Sequence, residues 1–197
     1  MKAINITKLL LLSVLAVVFA SCNNDDVLMD VKLKDPVNIK FDADVFSTAS
    51  PLAFTVLSGE NQFSGSTVLN REDAAFREIK PHLTNLSSIN INEALLTITE
   101  KVAGLDYSAE DIVITATAGG FSTTVGIPSY QFGDTFSSKQ NAEFGEFLNR
   151  VLLQLMFVGG DVELSIEGKT NAIDGDKLNV HFQLADVLLK VKTLKKK

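Results

Sequence analysis

The residues of this chain that could do chemistry are two histidines, scattered carboxylates, a few serines beside glycines, and one cysteine. His82 follows Pro81, and His181 falls on the polar side of an alternating run. Neither has a Cys, Asp or second His at the spacing of a tetrahedral metal site, so both read as surface histidines. Asp42 and Asp44 share one face of an alternating segment. Asp174-Gly175-Asp176 lacks the preceding oxygen ligands of a calcium loop and reads as a turn. Glu143 and Glu146 lie three apart, a spacing at which two carboxylates on a helix can share acid–base work; a solvated helix face is the simpler reading. Ser64-Gly65-Ser66 and Gly119-Gly120-Phe121-Ser122 lack the strand-to-helix elbow that presents a nucleophilic serine. Gly-rich phosphate loops are missing too. The expectation is a protein without catalytic, cofactor-binding or metal residues.

Cys22 is different, because its neighbourhood has a pattern. Lys2 and Lys8 precede an unbroken apolar run, Leu9 to Ala20, which ends at Ser21-Cys22. That run is too short for a bilayer span, which needs roughly 20 residues. A basic start, a short apolar stretch and small residues before a cut site read as a secretory signal. A cysteine directly after the small residues reads as a bacterial lipoprotein signal, with Cys22 the lipid-bearing first residue of the mature chain. Phe19 stands where the lipoprotein pattern prefers Leu, although Val17 and Val18 lie just upstream. The alternative is an ordinary signal cut near Ala20, with Cys22 a free thiol. An odd cysteine in an exported protein needs an explanation, and acylation supplies one. Two or more acyl chains anchor stably where one does so only marginally.

Removing residues 1–21 leaves 176 residues, enough for one domain with its own core. It also removes two lysines and no acid, so the formal charge moves from −6 to −8. Phosphate binding needs clustered Lys and Arg, so this balance argues against nucleic acid as a partner. With one cysteine, no disulfide can form within the chain. Thirteen Phe against two Tyr and no Trp suit core burial better than the stacking of sugar rings, which counts against a carbohydrate-binding module.

The elements that must position these residues are mostly strands. Residues 22–30 read as a tether, and the domain as 31–197. Val37 to Val45 alternates apolar and polar for nine residues. Leu52–Leu57, Gln62–Leu69, Asn85–Glu100, Asp111–Thr117 and Phe121–Ile127 read as further strands. Pro128 closes the last of these, and Ala118-Gly119-Gly120 is a hairpin turn. Asn70 caps a short helix from Arg71 to Lys80, ended by Pro81. A second helix spans 140–157, with Phe144, Phe147, Leu148, Val151, Leu152 and Leu155 at three- and four-residue steps. Ser137 and Gln140 give it a capping box, and Gly159-Gly160 stops it. Asp174-Gly175 predicts a hairpin between the last two strands. Within the last strand apolar parity shifts after Leu184 to Val187, Leu189 and Val191, which predicts a bulge at Ala185-Asp186. Alternating strands with two short helices and no βαβ rhythm predict an antiparallel β-sandwich, Greek-key or barrel-like.

The lipoprotein signal is followed by an early hairpin, a short acidic helix and an Ile-rich strand, Leu86-Ser-Ser-Ile-Asn-Ile-Asn-Glu-Ala94. Then come an amphipathic helix and a closing pair, Val162–Thr170 and Leu178–Thr193. This order resembles a group of small lipid-anchored β-sandwich lipoproteins of the Bacteroidota, mostly of unassigned function. The resemblance implies an outer-membrane protein held through lipid, such as palmitate, on Cys22. Asp25-Asp26 beside Cys22 looks like the signal that sends such lipoproteins to the cell surface.

The expected role is a binding or structural module of the cell envelope, with an unknown protein, glycan or lipid partner. A lipid or apolar-ligand carrier would need a cavity beside the 140–157 helix. A pilus or adhesion subunit would need a sheet edge open to a donor strand. Lys190, Lys192 and Lys195–Lys197 either form a solvated end or meet anionic headgroups.

Overall fold

A computed structural model describes residues 27–47, 61–100 and 107–193. The expected strand at 52–57, Cys22 and Lys195–Lys197 lie outside them. The described chain is mainly β, as its alternating pattern predicts. The strands are β1 (Val27–Lys32), β2 (Val37–Phe46), β3 (Asn61–Leu69), β4 (Leu86–Glu100), β5 (Ser108–Ala118), β6 (Phe121–Gln131), β7 (Phe136–Ser137), β8 (Val162–Thr170) and β9 (Lys177–Thr193), with one α-helix, α1 (Ala142–Leu153).

The strands form one antiparallel sheet in the order β6-β5-β8-β3-β2-β9-β4-β7, which nearly closes into a barrel-like shape. β9 is its long spine. β4 pairs along one side of it, while β2 and β1 share the other side end to end. The ladder shifts register where β9 passes Ala185 and Asp186, the bulge that the parity change predicts. It lets both halves of β9 keep their apolar residues inward: Leu178, Val180, Phe182 and Leu184, then Val187, Leu189 and Val191, are all buried.

Gly65 and Gly145 are among the glycines that permit close approaches. Gly65 on β3 lies against β2, where a Cβ would sit 2.4 Å from the Asp42 carbonyl oxygen. Only glycine allows the strands to cross that closely. Gly145 of α1 faces Ser138, whose Cβ would be 3.2 Å from an added methyl, so the helix lies tightly on the link before it.

Beyond the two-residue β7, the terminal strand β6 approaches β4 at a seam, where the Tyr130 hydroxyl meets the Ile98 N–H. α1 lies across it, packed against both. Phe144, Phe147, Leu148, Val151 and Leu152 point into the core. From there aromatic rings run inward: Phe136 to Phe144 at 5.5 Å, Phe144 to Phe182 at 6.3 Å, and Phe182 to Phe41 at 6.1 Å. Phe144 and Phe182 are fully buried, and Phe136 and Phe41 partly so.

Several expectations are corrected. β1 begins pairing at Val27, so the domain starts inside the expected 22–30 tether; the end of β9 offers an edge, and Val27–Val31 supplies the matching strand. The expected helix 71–80 is two 3₁₀ turns, Ala74–Phe76 and Lys80–Asn85. Phe76 and Ile79 are fully buried, and their three-residue spacing suits a 3₁₀ turn. Pro81 opens the second turn instead of ending a helix, since a first-turn position needs no N–H. Pro128 does not close its strand: β6 runs on to Gln131, because an edge strand tolerates proline. Asn141, not Ser137, caps α1, its Oδ1 accepting from the Phe144 N–H at 3.0 Å; a π-turn, Gln154–Val158, follows before Gly159 ends the helix. β8 and β9 form no hairpin. β3 and β2 lie between them, and the Asp174-Gly175 turn instead docks on the end of β2.

Candidate functional site

Strand alternation puts every second residue of β2, β9 and β4 on the outer face. Register then aligns them across the three strands. Lys40 stands opposite His181, and His181 opposite Thr97. One step along, Asp42 stands opposite Asn179, and Asn179 opposite Thr99. On the other side Asn38 stands opposite Gln183. With Ser66 of β3 and the apolar Phe41 and Val180, the Lys40 and Asp42 rows line an open groove of about 770 Å³. The array presents an ammonium, a carboxylate, three hydroxyls, an amide and an imidazole.

His181 is the fixed point. Its Nε2 lies 2.8 Å from Asn38 Oδ1, and Gln183 Nε2 donates to the same oxygen at 3.4 Å. With Asn38 Oδ1 as acceptor, Nε2 carries the hydrogen and Nδ1 is left with its lone pair. Burial, and then the Lys40 charge, hold the imidazole pKa below its ordinary value. At neutral pH His181 is therefore an uncharged acceptor, and Lys40 supplies the positive charge.

Two smaller clefts flank the barrel. One, about 410 Å³, lies at the seam among Glu110, Tyr130, Asp134 and Gln140. Its central hydroxyl is committed, since Tyr130 accepts from the Ile98 N–H at 3.0 Å and donates to the Asp134 carbonyl. The other, about 340 Å³, lies between the β1–β2 link and the 3₁₀ segment. There Arg77 bonds Asp35 at 2.9 Å and Glu78 accepts from the Lys34 N–H at 2.8 Å.

The remaining candidates scatter. His82 sits half-buried in the second 3₁₀ turn, away from the array's strands. Asp44 lies on the outer face of β2 and pairs with Lys177 at 3.1 Å. Asp174 Oδ1 accepts from the Ser47 N–H at 3.1 Å, which fixes a turn. Glu143 and Glu146 are exposed, and Glu146 meets Arg150 at 3.5 Å. Ser64 and Ser66 lie along β3, and Ser122 follows a hairpin turn. Among the described residues no three His, Cys, Asp or Glu gather as a metal site. Nor does any described helix have the length and apolarity to cross a membrane, which says nothing of strands. The sequence reading missed Lys40, Thr97, Thr99 and Asn179, whose only signal is strand parity.

No family model matches the chain, and no curated protein does. Among solved structures, the chain is similar to one titled Desmodium yellow mottle tymovirus. That match has 11% identity and a TM-score of 0.31, over 84% of this chain and 87% of the other.

Proposed function

We propose that this chain is a lipid-anchored module of the bacterial cell envelope, resembling the Bacteroidota lipoproteins, and that it acts by binding. Its ligand face is the polar array of β2, β9 and β4. The anchor rests on the run from Lys2 to Cys22. The single observation that carries the binding face is the register of Lys40, His181 and Thr97 beside Asp42, Asn179 and Thr99, which with Ser66, Phe41 and Val180 line a groove of about 770 Å³. That volume is within the usual range for small-ligand sites, roughly 300–1,000 Å³. Phe144, Phe147, Leu148 and Leu152 of α1 are buried, and Phe144 meets Phe136 and Phe182, packing that supports an external ligand over an enclosed lipid.

The ligand chemistry that fits is polar and hydroxyl-rich or anionic: Lys40 offers charge, Thr97, Thr99 and Ser66 hydroxyls, and His181 Nδ1 an acceptor. Amide and imidazole spectra of the labelled protein, taken with a neutral trisaccharide and with inorganic phosphate, test this. Shift changes clustered on Thr97, Thr99, Asn179 and His181, and lost in Lys40→Ala, are expected. Changes confined to the seam cleft, or no change with either probe, would contradict the assignment.

A further inference from the structure

β1 is unusual for a strand in a packed sheet. Alternation should bury one of its sides, yet Val27, Leu28 and Met29 are 41%, 53% and 50% exposed. Leu28 lies beside Lys192 and Asp30 beside Lys190 on the outer face, while Met29 stands at the rim opposite Val191. β1 pairs only with β9, so this corner is both an edge and an exposed apolar patch.

Two further facts say what meets it. Cys22 precedes Val27 by five residues, which span at most about 17 Å when extended. An acylated Cys22 therefore holds this corner of the barrel close to the bilayer. The charge is also local. Lys190 and Lys192 flank the patch, and three more lysines, Lys195–Lys197, follow β9 directly. They outnumber Asp25, Asp26 and Asp30 in a chain whose overall formal charge is −6.

We infer that the β1 corner is a membrane-docking face, with Val27, Leu28 and Met29 entering the interfacial layer and the lysines meeting anionic headgroups. This rests on the lipid-anchor reading of Cys22. The face orients the domain. β9 extends about 50 Å from Thr193 to Lys177 at roughly 3.3 Å per residue, so Ile173, Phe46 and the polar array belong to the end away from the bilayer. Exposed apolar residues beside lysines suit an interface of headgroups and upper acyl chains, whereas a single acyl chain leaves orientation free.

The test uses the mature lipoprotein reconstituted in vesicles of phosphatidylcholine, with and without phosphatidylglycerol. An environment-sensitive fluorophore goes on Leu28→Cys, on Met29→Cys or, as the distal control, on Ile173→Cys, and brominated lipid is the quencher. Strong quenching at 28 and 29 and none at 173 is expected, with a gain in anionic vesicles that Lys190→Gln with Lys195→Gln, Lys196→Gln and Lys197→Gln reduces. Equal signals at 28 and 173 on an acylated protein would overturn the docking face alone. Self-quenching at 28 without bromolipid quenching would give the strand to a second copy and overturn it too. A mature chain whose mass shows no acyl groups would instead remove the anchor, and the docking face with it.

Discussion

The Tyr130 hydroxyl ties β6 to β4: it accepts from the Ile98 N–H at 3.0 Å and donates to the Asp134 carbonyl. Gly133 N–H donates to the Ile98 carbonyl at 2.9 Å, so both backbone groups of Ile98 are satisfied from across the seam. Beyond it, Ser138 and Ala94 exchange two bonds at 2.9 Å, one through Ser138 Oγ. The nearly closed sheet is therefore bridged by one side chain and a short return of the chain, with α1 laid over the join.

Tyr130→Phe keeps the ring and strands the buried Ile98 N–H. Leaving such a donor unsatisfied costs about 1–3 kcal/mol. Chemical denaturation should show that loss with an unchanged slope. Burial also raises the Tyr130 pKa, with the Ile98 bond opposing. A raised pKa gives stability that is complete below the unfolded value of about 10 and is lost as pH climbs through the folded one. The Phe variant should lose less stability than the parent at alkaline pH. An equal alkaline loss would show that Tyr130 does not ionise with unfolding.

Leu148 is 2% exposed on the face of α1 that covers the seam. Leu148→Ala should cost about 2–5 kcal/mol, the range for large-to-small core changes. The main neighbours of α1 are β4 and β6. Hydrogen exchange in this variant should therefore rise along β4 and β6 before β8. An unchanged melting temperature would mean that the helix is not what holds the seam.

Much of this was legible because strand alternation is local. The parity break in β9 located its bulge at Ala185-Asp186, and the α1 residues Phe144 to Leu155 were readable from their spacing. Strand order was not, because pairing is a long-range choice. The Asp174-Gly175 dipeptide has the chemistry of a hairpin, but β2 and β3 compete for the edges it would have joined. The 71–80 segment has helical caps, yet it is too short to beat the 3₁₀ spacing of Phe76 and Ile79. The polar array was hidden for the same reason as strand order. Lys40, Thr97 and His181 lie far apart in sequence, and only register brings them together.

His181 should make stability depend on mildly acid pH. Its folded pKa is lowered, by burial first and Lys40 second. The unfolded chain then takes up the proton more readily, so the His181 contribution is present above the unfolded value of about 6.5 and is lost as pH falls through the folded one. His181→Gln should flatten the stability profile between neutrality and about pH 5, a window set by that value. A profile as steep as the parent's would place the acid sensitivity elsewhere.

The anchor on Cys22 is the claim on which localisation, orientation and the membrane-docking face all depend. Mass spectrometry of the protein purified from its own membranes measures it directly. The account predicts a mature chain beginning at Cys22 with two or three acyl groups, and a Cys22→Ser protein that leaves the membrane fraction, since the β1 corner alone binds only marginally. A mature chain beginning elsewhere with a free Cys22 thiol, or full membrane retention of Cys22→Ser, would contradict it.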